Sequence, residues 1–165
     1  MLLYLDESQS ASSAVIYSAI LMLNMPNMYL TVVKLKERYD GSKETEKSWI
    51  NTWLINPILD MRHNVMDVFS IRAVDVRYQV LYCNPNIPDT VDALLDYARK
   101  QSVELIVMGT GEFKTLKSLI FGSLANTLQY RSQIPVLFVK DLPQEFIESY
   151  RSKPILTNVQ KLMKS

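Results

Sequence analysis

The feature that most constrains this chain is a series of short apolar runs separated by segments with helical character. Such unbroken runs are typical of strands buried on both faces, as in a parallel sheet covered by helices. The sequence therefore predicts one domain of the α/β class, an open, mainly parallel five-stranded twisted sheet with helices on both faces. The five predicted strands cover residues 1–5, 28–35, 76–82, 103–108 and 134–139.

Helices are predicted between these strands. The first covers residues 10–23, and a later one covers residues 123–130. Another follows Pro88, where Asp89 or Thr90 is the expected N-cap. The middle of the chain, residues 36–73, predicts a loop followed by helical segments that carry Trp49 and Trp53. The face of the helix after Pro88 that is expected in the core consists of Val91, Leu94, Leu95 and Ala98.

One long stretch without charge resembles a membrane segment. No residue from Ser8 to Val33 is charged. Its apolar part, from Ala14 to Leu23, is too short for a hydrocarbon core about 30 Å thick. Acidic Asp6 precedes it where a signal peptide needs basic residues. We therefore expect a buried helix, a turn and a buried strand, with no membrane partner.

Charge and cysteine content restrict the function. Lys and Arg number 18 against 17 Asp and Glu, a formal net charge of +1, so no basic surface for nucleic acid is expected. The single Cys83 and single His63 cannot form a disulfide or a zinc site. No catalytic triad or carboxylate pair is predicted, and a reducing cytoplasm is the expected location.

Three strand ends carry the residues expected to bind a ligand. In an open parallel sheet, ligands bind at the carboxyl ends of the strands, where the strand order reverses. Backbone N–H groups beside glycine and at a helix N-terminus favour a phosphate. The first strand is followed by Asp6 and Ser8, the second ends near Leu35, and the fourth leads into Met108, Gly109, Thr110, Gly111 and Glu112, with Gly122 and Ser123 expected at the next helix N-terminus.

Two common nucleotide motifs are excluded. The string G-x-x-x-x-G-K-[ST] of a P-loop does not occur. The dinucleotide fingerprint needs a glycine where Lys114 stands. Neither an NAD site nor a P-loop NTPase is predicted.

Three separated segments carry a family resemblance. They read VELIVMGT over residues 103–110, LKSLIFGS over 116–123 and IPVLFV over 134–139. With the opening LDES over residues 5–8, they are similar to the universal stress protein family, and the resemblance covers about residues 1–140. It implies a Rossmann-like fold of the adenine nucleotide alpha hydrolase-like group, and a homodimer that acts in stress response.

The resemblance also implies an adenine-nucleotide site, with ATP or AMP as ligand, Mg²⁺ as a candidate companion and at most slow hydrolysis. Nucleotide-binding members carry the motif G-2x-G-9x-G-[ST], in which Gly109, Gly122 and Ser123 take the first, third and hydroxyl positions. Asp6 corresponds to the acidic residue near the ribose, although a cap on the first helix is an equal alternative. Leu35 corresponds to the residue whose backbone contacts adenine.

The second glycine of that motif is replaced by Glu112. A non-glycine residue forced to positive φ costs about 1 kcal/mol or more, and a carboxylate repels phosphate. Two alternatives follow. Either Gly111 supplies the flexibility and the nucleotide binds, or Glu112 closes the site and the protein is a structural or signalling dimer that binds a protein partner.

The last strand and the residues after it give two more expectations. The apolar strand between Ile134 and Lys140 would expose unpaired backbone groups at a sheet edge, so dimerisation through this strand is predicted. Residues 141–165 lie beyond the predicted domain and are expected to form a helical extension. Coverage of the sheet edge by this extension is the alternative to dimerisation.

Overall fold

The computed structural model describes residues 1–6, 9–25, 27–37, 68–69, 75–110 and 116–152, with the backbone alone at residues 9, 116–122 and 151–152. The expectations for Ser8, Gly111, Glu112, His63, Trp49 and Trp53 lie outside these residues. Along the chain the elements are β1 (Leu2–Tyr4), α1 (Gln9–Asn24), β2 (Leu30–Glu37), β3 (Val76–Cys83), α2 (Ile87–Lys100), β4 (Ile106–Gly109), α3 (Leu116–Arg131), β5 (Val136–Val139) and α4 (Gln144–Ser152).

The five strands form one sheet in the order β3-β2-β1-β4-β5, and neighbouring strands are parallel throughout. Tyr4 of β1 is in register with Val33 of β2 on one side and with Met108 of β4 on the other. The predicted α/β fold class is confirmed. Chain order reverses beside β1, and in open parallel sheets ligands bind at the carboxyl ends of the strands at such a point.

Two buried layers enclose the sheet. One, the α1-side core, packs Leu3, Val32, Val107 and Val139 of the strands against α1 and the pair Val68 and Phe69. The opposite, the α2–α3-side core, is built from alternate strand residues and the apolar faces of α2 and α3. Its fully buried members include Leu2, Val33, Ile106, Met108, Val91, Leu94, Ala98 and Leu128.

Helix α1 is buried over most of residues 10–19, as its sequence predicts. It contacts β1, β4, β5 and α4. Three serines, Ser10, Ser13 and Ser18, are fully buried in it. Among the described residues no helix is both long enough and apolar enough to cross a bilayer.

Helix α2 begins earlier than its sequence predicts. The N-cap is Asn86, whose side-chain oxygen accepts a hydrogen bond from the Asp89 N–H at 2.8 Å, so the expectation of Asp89 or Thr90 as the cap is wrong. Pro88 lies in the first turn, where a missing N–H costs nothing. The predicted buried face of Val91, Leu94, Leu95 and Ala98 is confirmed.

Strand bounds differ from the predicted ones where local hydrogen bonds compete with the sheet. The fourth strand begins at Ile106 instead of residue 103, because Val103 donates its N–H to Ala98 and completes the last turn of α2. The fifth begins at Val136, because the Ser132 hydroxyl binds both the N–H and the carbonyl of Ile134.

The described part of the C-terminal extension is α4 with the preceding residues 141–143. This helix packs against α1, and its Ile147 is only 3% exposed. Tyr150 packs on the α1-side core, and its ring stacks on Phe146 with centroids 6.0 Å apart. The division into a domain of residues 1–140 and an extension of 141–165 stays a prediction.

Candidate functional site

The reversal of strand order lies between β1 and β4, and three of the predicted site residues meet at its carboxyl edge. Tyr4, Val33 and Met108 are in register in β1, β2 and β4. Two residues after them along the chain come Asp6, Leu35 and Thr110, respectively. Adjacent strands are about 4.8 Å apart, so these three residues lie side by side with Asp6 in the middle. Met108 and Gly109 complete the edge as the last residues of β4.

Asp6 lies close to a buried tyrosine. Burial raises the pKa of the Tyr4 hydroxyl, and the nearby Asp6 carboxylate and Cys83 thiol raise it further. The Tyr4 hydroxyl therefore stays protonated and uncharged at physiological pH. Asp6 itself is half-buried at the end of β1.

The peptide groups of Leu35 face the end of β1. Val33 accepts the Leu5 N–H at 2.9 Å, and in a parallel ladder the residue two positions further points its N–H and C=O to the same side. Among the described residues, this is the last backbone hydrogen bond between β1 and β2. The N–H of Leu35 is thus a donor beside Asp6, and its C=O is an acceptor there.

Gly109 makes a close contact that its sequence position alone does not reveal. A Cβ atom built on it would lie 2.5 Å from the Ser10 carbonyl carbon, 2.6 Å from the Ser10 oxygen and 2.8 Å from the Ala11 nitrogen. These are backbone atoms and cannot rotate away. The first turn of α1 is therefore seated on the end of β4, next to Thr110 at the carboxyl edge of the sheet.

The structure changes the expected position of Gly122 and Ser123. Helix α3 begins at Leu116, so these two residues are its seventh and eighth instead of lying at the N-terminus predicted at residue 123. Backbone N–H groups that far inside a helix bond to the carbonyl four residues earlier. Residues 116–121, four of which are apolar, extend the helix backwards. The predicted helix of residues 123–130 missed this extension.

Sequence reasoning also missed Ser13 and Tyr4. Ser13 accepts a hydrogen bond from the N–H of Leu142, and Tyr4 borders Asp6. Ser13 is one of four serines in α1, and its sequence context does not single it out. Among the described residues no group of three or more His, Cys, Asp or Glu is placed to hold a metal ion.

The chain resembles proteins of one family in sequence. Residues 82–140 match the model of the universal stress protein family. Stress response protein NhaX of Bacillus subtilis (strain 168) is 40% identical over 52 residues. That match covers 32% of this chain and 31% of the length of the relative.

Solved structures resemble the fold over most of the chain. A universal stress protein from Burkholderia pseudomallei has a TM-score of 0.60 at 22% identity, with 84% of this chain and 93% of that chain covered. A universal stress protein in complex with cAMP gives 0.60 at 18% identity, covering 86% and 98%. The universal stress protein from Archaeoglobus fulgidus in complex with dAMP gives 0.53 at 16%, covering 84% and 95%. The resemblance of this chain to the universal stress protein family, predicted from its sequence, is therefore confirmed, with the family match itself in residues 82–140.

Proposed function

We propose that this protein binds an adenine nucleotide, ATP or AMP, at the carboxyl edge of β1, β2 and β4 and acts in stress response as a homodimer. The observation that carries the proposal is the juxtaposition of Asp6 with the N–H and C=O of Leu35 at the point of strand reversal. Structures of the same fold in complex with cAMP and with dAMP support the choice of an adenine nucleotide.

The chemistry of this edge fits the parts of the ligand. Adenine carries a donor amino group beside an acceptor ring nitrogen, which matches the acceptor and donor of one peptide backbone. A carboxylate accepts hydrogen bonds from ribose hydroxyls, and Asp6 is the carboxylate next to Leu35 in the sheet. The phosphates would extend toward Gly109 and α3, with Mg²⁺ as the counter-ion of a polyphosphate.

One observation favours a second function. Gly122 and Ser123 lie inside α3, where their N–H groups are committed to the helix and are not aimed at a phosphate. A chain that lacks this part of the phosphate site would serve as a structural or signalling dimer that binds a protein partner.

Calorimetry with and without the Asp6 carboxylate tests the proposal. Stripped protein is titrated with Mg-ATP, AMP and cAMP, after the small molecules released from freshly purified protein have been identified by mass spectrometry. We expect a dissociation constant in the micromolar range for at least one nucleotide. Asp6→Ala should weaken it by about tenfold or more, because a hydrogen bond to a charged group is lost.

The matched control for this titration is Asp96→Ala. Asp96 is an exposed carboxylate of α2 that pairs with Arg99 on the surface. Its removal should leave the affinity unchanged. Neither a released nucleotide nor heat of binding in the wild type would contradict the proposal and favour the dimer that binds a protein partner.

The homodimer is proposed to form through β5, which is an edge strand. Pro135 and Val139 bond to β4 through their carbonyls, so the alternate residues Val136 and Phe138 point their backbone groups away from the sheet. These residues are half-buried and apolar. An exposed apolar edge of this kind is stabilised by pairing with a second copy.

Light scattering tests the dimer. We expect twice the 19.0 kDa chain mass at micromolar concentration. Val136→Pro removes one outward N–H and no bond to β4, so it should give a folded monomer. A monomeric wild type would contradict the dimer.

Catalysis beyond slow hydrolysis of ATP is not part of the proposal. Phosphoryl transfer needs a metal-binding carboxylate, a positioned base and cationic charge at the γ-phosphate. In the part of the chain that the structure describes, no group of three or more His, Cys, Asp or Glu is placed to hold a metal ion. We propose a cytoplasmic location, because the one cysteine, Cys83, is a buried free thiol.

A further inference from the structure

The described part of the C-terminal extension, Asp141–Ser152, is bound to α1 at specific points. The Leu142 N–H donates a hydrogen bond to the Ser13 hydroxyl at 2.9 Å, across 129 residues of sequence. Ser13 is fully buried. Five residues after Leu142, Ile147 is buried as well, and Tyr150 packs on the α1-side core. The extension is thus a helix packed on α1 through a polar anchor, the Leu142–Ser13 hydrogen bond, and an apolar anchor, the buried Ile147 side chain.

The same helix, α1, contacts the candidate site one turn before that anchor. Ser10 and Ala11 are in backbone contact with Gly109, the last residue of β4. Ser13 lies three residues further along, which is about one helical turn. Helix α1 is therefore fixed at neighbouring turns by the extension and by the strand that borders the crevice.

The contacts of α1 with Gly109 and with Leu142 are close enough that a movement of one partner moves the helix. Protein interiors are close-packed, so a helix held by backbone contact moves with whatever holds it on its other side. The first turn of α1 lies against Gly109, which precedes Thr110 at the carboxyl edge. A shift of α1 therefore displaces the end of β4 beside Asp6.

We propose that Ser13 is a positioning residue for the nucleotide site and that the extension acts through it. The docked extension holds the first turn of α1 against Gly109 in the geometry that binds the nucleotide. This inference rests on the proposed function. By thermodynamic linkage, the nucleotide must strengthen docking of the extension by the same factor by which docking strengthens nucleotide binding.

A pair of serine variants tests the anchor. Ser13→Ala removes the acceptor for Leu142 and keeps a good helix former, so the fold is retained. Ser132→Ala is the matched control, since Ser132 also binds backbone groups, those of Ile134, and lies outside α1 and α4. We expect the dissociation constant for Mg-ATP to rise about fivefold in Ser13→Ala and to stay within about twofold of the wild type in Ser132→Ala.

A second pair tests the apolar anchor in the same titration. Ile147→Ala removes the buried side chain of α4, and Glu145→Ala removes an exposed one from the same helix. The first should weaken nucleotide binding and the second should not. Circular dichroism shows that each variant is folded before it is titrated.

Hydrogen exchange supplies the readout that a merely structural role would not change. Amide exchange at Leu142 and in residues 144–150 is measured in the wild type with and without saturating Mg-ATP. We expect nucleotide to slow this exchange in the wild type, and to slow it less in Ser13→Ala. A purely structural Ser13 would change stability and leave the nucleotide-dependent difference the same.

The outcomes separate the two proposals. If the wild type binds a nucleotide and Ser13→Ala binds it equally well, or if the nucleotide leaves exchange of the extension unchanged, the inference about Ser13 is wrong and the proposed function stands. If the wild type binds no nucleotide, the proposed function fails and the inference fails with it.

Discussion

Replacing Gly109 by alanine is expected to lower the free energy of unfolding by about 3 kcal/mol, the upper part of the usual range for overpacking. The added Cβ would meet the Ser10 carbonyl and the Ala11 nitrogen at less than 3 Å. Because both partners are backbone atoms, relief requires a shift of α1 or of β4. Urea denaturation followed by circular dichroism measures the loss.

Thr110→Ala is the control for this variant. Thr110 is the next residue, is half-buried, and makes only a long side-chain contact of 3.5 Å to the Val139 carbonyl. Its truncation should cost less than about 1 kcal/mol. Gly109→Ala with wild-type stability would show that α1 does not rest on β4. Gly109→Ala is a test of stability and not of phosphate binding, because the added Cβ meets the backbone of α1.

Phe69→Ala should destabilise the protein by about 3–5 kcal/mol, the usual cost of truncating a buried aromatic side chain. Phe69 is 1% exposed and belongs to the α1-side core together with Val68. Removing the ring takes away apolar area and leaves a cavity that close-packed neighbours fill only in part. The midpoint of urea unfolding measures this effect.

The matched control for Phe69 is Phe146→Ala. Phe146 carries the same side chain but is 44% exposed on α4, where it stacks on Tyr150. Its loss should cost about 1 kcal/mol, because an exposed ring buries little area and the ring pair contributes about that much. Equal losses in the two variants would contradict the placement of Phe69 in the core.

Most of the fold was predictable because its signals are local. Apolar runs of the length of β1, β4 and β5 indicate strands buried on both faces, and the repeat of apolar positions Val91, Leu94, Leu95 and Ala98 indicates one face of α2. The resemblance to the universal stress protein family was predicted from separated segments, and the family match lies in residues 82–140. Asp6 and Gly109 were predicted from their place at strand ends, and Leu35 was predicted from the family resemblance.

The errors occur where two local interactions compete. Asn86 and Asp89 are both good caps, and Asn86 takes the role because Pro88 fits the first turn of the helix. Helix α3 begins at Leu116 and not at residue 123, because the residues before Gly122 continue the helix backwards. Once a helix has formed, adding a residue to its end is favourable.

The sequence by itself determined the class of fold and the strand ends that carry polar residues, because hydrophobic periodicity and strand length are properties of neighbouring residues. Only the tertiary structure decided which strand ends are adjacent, that Gly109 is required by the backbone of α1, and that Ser13 anchors an extension 129 residues away. Those contacts depend on the packing of distant segments against one another. They arise when both faces of the sheet are buried together, and no local preference encodes them.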